Sequence, residues 1–150
     1  MIQYTKGDLL SAPTEALVNA VNTVGVMGKG IALQFKKAYP HNFKVYHKAC
    51  KDKTFDIGQV LVVRESTIEG EKCIVNFPTK KHWRGKSKYE FIETGLEALA
   101  TAIEEYEIES IAIPALGCGY GGLEWEKVKA LIEKYLSDLE EVEVLVYEPR

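Results

Sequence analysis

The 150-residue chain lacks the sequence features of a disulfide scaffold, a zinc site and a membrane span. Its three cysteines (Cys50, Cys73 and Cys118) are an odd number without a CxxC pair, and no histidine stands beside them in a ligand pattern. No apolar run approaches the ~20 residues of a membrane-spanning helix, and the first residues, MIQYTKGDLL, form no signal pattern. We therefore expect no structural disulfide, no metal, no membrane association and a cytoplasmic location.

The composition that is present, 46% hydrophobic and 27% charged residues, is that of an ordinary globular protein. Its length predicts one domain over residues 1–150. Short β-branched or apolar runs alternate with helical patterns, giving about six strands and four helices. This order is typical of an α/β sandwich. The longest helix is predicted to start at a capping box formed by Ser87 and Glu90.

Two glycine-rich loops each connect a predicted strand to a predicted helix. The first glycine loop, residues 20–30, follows a strand that is predicted to end at Asn19, and the second, residues 114–124, precedes a helix near Glu124. Glycine permits φ > 0 and close backbone approach, and helix N-termini attract anions. The pattern GxxxxGK[ST] is absent, which excludes a P-loop NTPase. Because ligands of open α/β sheets bind at the carboxyl ends of strands, the two loops predict a diphosphate site, with Asn19 and Asn22 available to sugar hydroxyls.

Asp8 follows the first predicted strand, in the segment KGDLL. Two interpretations stay open from the residues alone. The carboxylate either caps a turn exposed to solvent, or it accepts a charge-assisted hydrogen bond from an exocyclic amino group such as that of adenine.

An acidic chain of net charge −3 carries one concentrated basic segment. Between Lys72 and Tyr89 there are six Lys or Arg residues and no Asp or Glu. These charges can follow the phosphates of a single nucleic-acid strand while Trp83 or His82 stacks on a base. Alternatively, the segment is a solvated loop whose indole shields apolar surface, and the residues alone favour that second interpretation.

Four ordered segments together resemble the macrodomain family of ADP-ribose-binding modules: GDLL, ALVNAVNTVGVMGKGIALQF, VNFPTKKHWRGKS and PALGCGYGGLEW. Within that family the chain is similar to the DNA ADP-ribosyl glycohydrolase antitoxin class and to the related terminal ADP-ribose glycohydrolases. The similarity runs nearly end to end. It implies a three-layer α/β/α fold with a mixed central sheet, which binds ADP-ribose as ligand or product and needs no cofactor.

The resemblance also implies roles for individual residues. Lys80 matches the catalytic lysine of the class, as an amine that attacks the anomeric carbon or as an ammonium that stabilises the departing base. Adenine would contact Asp8 and Leu9, and the distal ribose would contact Asn19 and Asn22. The remaining predicted ADP-ribose contacts are Met27, Gly28, Lys29, Gly30, Ile31, Pro114, Leu116, Gly117, Cys118, Gly119, Tyr120, Gly121 and Gly122. The resemblance turns the interpretation of the basic segment toward DNA, with the predicted contacts Lys81, His82, Trp83, Arg84 and Lys86.

The chain departs from the family pattern at two points. Two residues after the GCG turn, the terminal glycohydrolases have an aspartate where this chain has Gly121, which leaves Lys80 without an evident carboxylate partner. The antitoxins of the class usually continue into another domain, so this chain is either a piece of a longer protein or a stand-alone enzyme.

The predicted function is removal of ADP-ribose from nucleobases of single-stranded DNA by a monomer, with a cognate DNA ADP-ribosyltransferase toxin as a second partner. The alternatives are a non-catalytic ADP-ribose-binding module and a hydrolase acting on ADP-ribosylated protein carboxylates or on O-acetyl-ADP-ribose.

Overall fold

Strands and helices alternate along residues 1–149, the part of the chain that this computed structural model describes. The strands are β1 (Ile2–Thr5), β2 (Ala16–Asn22), β3 (Leu61–Thr67), β4 (Gly70–Lys80), β5 (Ser110–Ile113) and β6 (Glu143–Tyr147). The helices are α1 (Gly30–Ala38), α2 (Pro40–Lys51), α3 (Tyr89–Glu105) and α4 (Trp125–Leu136). Two short 3₁₀ turns, Leu9–Ser11 and Gly119–Gly121, lie in the loops. The predicted sequence of six strands and four helices is confirmed.

The six strands form one sheet in the order β1-β6-β5-β2-β4-β3. Only β3 runs antiparallel to its neighbour, β4, and every other pairing is parallel, so the predicted mixed sheet is confirmed. Because the other five strands point the same way, their carboxyl ends meet along one side of the sheet, here called the carboxyl edge. The opposite side is the amino edge.

Alternating residues of β2 show how the sheet is covered on both faces. Ala16 and Val18 pack in the large core cluster that includes Leu96 of α3. Leu17, between them, packs with Phe35 of α1. Successive strand residues point to opposite faces, so α1 and α2 cover one face and α3 and α4 the other. None of the helices within residues 1–149 is long and apolar enough to cross a membrane.

Two predicted boundaries were wrong. Strand β2 continues to Asn22, which puts Asn19 in its middle. Helix α3 begins at Tyr89 with Lys88 as its N-cap residue, and no side chain caps it. The capping box fails because Ser87 is buried and its N–H donates to the Gly121 carbonyl oxygen at 3.1 Å. That contact holds Ser87 against the second glycine loop, outside the helix.

Candidate active site

Strands β2 and β4 end side by side at the carboxyl edge and bring Asn22 next to Lys80. The register pairs Val21 with Pro78 but Asn22 with Lys80, so Thr79 is the extra residue of a β-bulge. Bulges re-aim side chains and are common beside active sites. The predicted catalytic lysine is therefore the last residue of an interior strand, adjoining the first glycine loop.

Lys80 is only partly exposed, and its ammonium nitrogen Nζ donates to the Trp83 carbonyl oxygen at 3.2 Å. Burial lowers the pKa of Lys80, and the positive charges of Lys86 and Lys29 lower it further. Within residues 1–149 Lys80 forms no salt bridge. This environment shifts the protonation equilibrium of Lys80 toward the neutral amine, because burial and like charges both disfavour the charged form.

Asn22 organises the first glycine loop. Its Oδ1 accepts hydrogen bonds from the backbone N–H groups of Val24 and Val26, at 3.1 and 3.3 Å, while its Nδ2 donates to the Val26 carbonyl oxygen at 2.8 Å. The Tyr46 hydroxyl of α2 lies 2.8 Å from Asn22 Oδ1 and 2.9 Å from its carbonyl oxygen. One amide hydrogen of Asn22 is left for a ligand. The loop is thus fixed by buried side chains.

Asn19 occupies a different position from the one expected of a sugar-binding residue. It is fully buried in β2, where its amide nitrogen is 3.4 Å from Asn76 Oδ1 and 3.8 Å from the Met27 sulfur. Its own Oδ1 has no partner within the described residues. Asn19 therefore lies behind the first glycine loop, together with buried Met27, whereas the rim of that loop is formed by the exposed residues Gly28, Lys29 and Gly30.

The second glycine loop contacts the first glycine loop and the loop that follows β4. The Lys29 ammonium lies 5.5 Å from the centre of the Tyr120 ring, which is 70% exposed. A Cβ on Gly122 would come within 3.8 Å of the Lys86 ammonium nitrogen, and one on Gly121 would overlap the buried Ser87 hydroxyl. The first glycine loop, the second glycine loop and the basic loop (residues 80–88) therefore meet at one place on the carboxyl edge.

Within the second glycine loop, Gly119 is the position with free space. Its φ is +71°, and an added Cβ would meet nothing within 4 Å. Pro114, Leu116 and Gly117, in the first part of the same loop, are buried. Burial raises the pKa of the Cys118 thiol, so that side chain stays neutral and is not an activated nucleophile.

At the other end of the carboxyl edge, Asp8 caps the 3₁₀ turn Leu9–Ser11. Its two carboxylate oxygens accept hydrogen bonds from the Leu10 N–H at 3.1 Å and the Ser11 hydroxyl at 2.9 Å. The carboxylate remains exposed. The pKa of Tyr147, at the end of β6, is raised mainly by the burial of Tyr147 and also by the negative charge of Asp8. Below it, Leu9 is buried with partly buried Ile31. Asp8 therefore caps the turn, and the outer side of its carboxylate remains open to solvent.

The basic loop displays its aromatic and positively charged side chains outward. The His82 and Trp83 ring centres are 4.9 Å apart, and the Arg84 guanidinium carbon lies 4.4 Å from the Trp83 ring centre. Trp83 is 41% exposed. Both the N–H and the hydroxyl of Thr23 donate to the Lys81 carbonyl oxygen, at 3.3 and 2.9 Å, which ties this loop to the first glycine loop.

Sequence reasoning missed Tyr46 as a support for Asn22 and Ser87 as the link to the second glycine loop. Neither carries a local signal, because each acts on a residue far away in the chain.

No group of His, Cys, Asp and Glu within residues 1–149 is arranged to hold a metal ion.

Comparison with known proteins identifies similar chains with the same fold. The family described as Macro domain matches residues 18–132. The curated DNA ADP-ribosyl glycohydrolase of Thermus aquaticus is 52% identical over 149 residues, which is 99% of this chain and 41% of that protein. The solved macrodomain of Mycobacterium tuberculosis DarG, also 52% identical, has a TM-score of 0.97 and covers 100% of this chain and 99% of its own.

Relatives from Thermosipho africanus are more distant. A curated DNA ADP-ribosyl transferase-DNA ADP-ribosyl glycohydrolase fusion protein is 39% identical over 163 residues, 99% of this chain and 42% of that protein. A structure of Thermosipho africanus DarTG in complex with ADP-ribose has a TM-score of 0.92 at 36% identity, covering 99% of this chain and 41% of that one. This chain thus spans less than half the length of these curated relatives.

Proposed function

Because this chain belongs to the Macro domain family, we propose that it is an ADP-ribosyl glycohydrolase that removes ADP-ribose from nucleobases of single-stranded DNA. One observation carries the proposal: Lys80, with a lowered pKa, stands at a strand end beside the first glycine loop. A non-catalytic ADP-ribose-binding module needs the glycine loops but does not need an amine with a lowered pKa. The relatives named DNA ADP-ribosyl glycohydrolase support the same activity.

ADP-ribose would lie along the carboxyl edge. The open side of Asp8 would accept a hydrogen bond from the adenine amino group beside Tyr147. The diphosphate would bind the backbone of the second glycine loop at Gly119, where there is open space. The free amide hydrogen of Asn22 would donate to the distal ribose, which brings its anomeric carbon toward Lys80.

The lowered pKa favours Lys80 as the attacking group. Its neutral amine forms a bond to the anomeric carbon of the distal ribose while the bond from that carbon to the base nitrogen breaks. The electron pair leaves with the base, which takes up a proton from water, and the lysine nitrogen loses a proton to solvent. A second water molecule then breaks the lysine–carbon bond, which releases ADP-ribose and restores the amine.

Single-stranded DNA is favoured over protein by the side chains around Lys80. Lys81 and Arg84 supply positive charge outside the pocket, and the exposed stack of His82 and Trp83 offers an aromatic face. Cations that follow the backbone and aromatic rings that stack on bases are the usual means of binding single strands. We propose that residues 1–150 act as a single macrodomain, and that a DNA ADP-ribosyltransferase toxin generates its substrate, as the name of the Thermosipho africanus fusion protein suggests.

The test is a turnover assay on matched substrates. The protein is incubated with an ADP-ribosylated single-stranded oligonucleotide and, separately, with a protein ADP-ribosylated on carboxylates, and released ADP-ribose is quantified. We expect release from DNA to be the faster by a wide margin. Equal or faster release from protein would overturn the DNA assignment, and no release from either substrate would leave the chain as a binding module.

A further inference from the structure

Lys86 differs from the other exposed cations of the basic loop in the direction of its side chain. The Ser87 N–H donates to the Gly121 carbonyl oxygen at 3.1 Å, so the backbone beside Lys86 is held against the second glycine loop. Its ammonium nitrogen lies within 3.8 Å of the position that a Cβ on Gly122 would occupy. The neighbouring Lys88 instead extends over the Phe91 ring of α3, 5.6 Å from its centre.

The course of the basic loop also brings Lys86 and Lys80 to its inner side. The Lys80 ammonium contacts the Trp83 carbonyl oxygen, and the chain reverses direction through a hydrogen bond from the Gly85 N–H to the His82 carbonyl oxygen at 2.9 Å. Lys29, from the first glycine loop, contacts Tyr120 of the second glycine loop. Lys29 and Lys86 therefore border the second glycine loop from two different loops.

We propose that Lys86 belongs to the ADP-ribose site rather than to the DNA interface, where its ammonium binds the diphosphate and offsets the negative charge that the diphosphate places beside Lys80. This inference rests on the proposed function. A bound diphosphate brings two negative charges close to Lys80, and negative charge nearby favours the ammonium form of a lysine. An ammonium paired with the diphosphate cancels part of that effect.

The charges that face Lys80 are consistent with this role. Lys86, from the returning arm of the basic loop, and Lys29, at the N-cap of α1, are the charged groups that act on Lys80, and both disfavour its protonation. Asn22, the residue of β2 that pairs with Lys80, is neutral. Lys86 thus has the opposite effect on the pKa of Lys80 to the one that an acidic partner would have.

The experiment compares Lys86→Gln with Lys88→Gln, which removes the same charge two residues away. Calorimetry with free ADP-ribose and no DNA should give about tenfold weaker binding for Lys86→Gln, the scale of one charge-assisted contact. The pH midpoint of single-turnover release from modified DNA should rise by about half a unit. Lys86→Arg should restore both quantities, and Lys88→Gln should change neither.

Unchanged ADP-ribose affinity in Lys86→Gln would overturn the diphosphate contact, and an unchanged pH midpoint would overturn the effect on Lys80. The proposed function fails in a different way. If the unsubstituted protein released nothing from modified DNA, the affinities for free ADP-ribose would still decide where Lys86 belongs.

Discussion

The two edges of the sheet differ in charge and in how their side chains are held. A cavity of about 820 Å³ lies at the amino edge. Five exposed carboxylates line it: Glu104, Glu107, Glu109, Glu141 and Glu143. At the carboxyl edge the crevice is formed by backbone at glycine positions and is bordered by Lys29, Lys80 and Lys86. A dianionic diphosphate would be repelled by the first edge and attracted by the second, so the cavity at the amino edge does not suit it.

This separation of charge is consistent with the proposed binding of DNA by a chain of net charge −3. The carboxylates of the amino edge lie on the far side of the sheet from the basic loop. A charge distribution of this kind orients an approaching polyanion toward its positive end. The local charge of the binding surface therefore matters more than the total.

The largest effect expected from the contrast is on the pH dependence of the reaction. The cations around Lys80 and its burial both lower its pKa, so the inflection should lie below the ordinary lysine value of about 10.4. The amine is populated above this pKa, so the single-turnover rate should rise by about tenfold per pH unit below the inflection and then level off. A rate that falls as pH rises through the inflection would assign the ammonium ion as the active form.

Next in size is the effect of filling the crevice. Gly119 and Gly70 both have positive φ, +71° and +118°, with no atom within 4 Å of an added Cβ, but Gly70 lies in the β3–β4 hairpin at the amino edge. Valine at either position should cost about 1–3 kcal/mol of unfolding free energy through backbone strain. Only Gly119→Val should also weaken ADP-ribose binding, by about a hundredfold. Equal affinity in the two variants would remove the second glycine loop from the site.

Gly121 is a poorer choice for that test. Its Cβ would strike Ser87 rather than enter the crevice, so a valine there would displace the basic loop as well. Gly121, which the sequence predicts as an ADP-ribose contact, packs against Ser87 on the side where its Cβ would lie.

A smaller effect, about tenfold on ADP-ribose affinity, is expected for Asp8→Asn. Asparagine caps a helical turn about as well as aspartate, so the local fold is kept while the charge is lost. Ser11→Ala is the control, since it removes the hydroxyl that contacts Asp8 but leaves the carboxylate. Calorimetry in which Asp8→Asn binds like the unsubstituted protein would limit Asp8 to its capping role.

The smallest effect concerns the surface charges. Arg84→Gln should reduce the slope of log affinity for single-stranded DNA against log salt by about 0.7, the value for one phosphate contact. Glu141→Gln, at the amino edge, should leave both that slope and the affinity for ADP-ribose unchanged. If the two substitutions altered the slope equally and in opposite directions, net charge rather than a defined interface would govern DNA binding.

The fold was predictable from sequence because its signals are local. Alternating apolar residues and helical stripes predicted the number, type and order of the elements, and the glycine loops predict a site at the carboxyl edge. The bulge that aligns Asn22 with Lys80 depends on strand register, which no local pattern encodes. Ser87 matched a capping pattern, yet its N–H is taken by the distant Gly121 carbonyl oxygen, and Tyr46 supports Asn22 from a separate helix.

The most direct measurement is single-turnover release of ADP-ribose from a modified single-stranded oligonucleotide by the unsubstituted protein, Lys80→Ala and Lys81→Ala, at saturating protein. Affinity for free ADP-ribose is measured in parallel. The structure predicts that Lys80→Ala releases nothing while it still binds free ADP-ribose, because the amine acts mainly on the transition state. Lys81→Ala should retain turnover. Release by Lys80→Ala at the unsubstituted rate would contradict the assignment of Lys80 as the catalytic residue at the carboxyl edge.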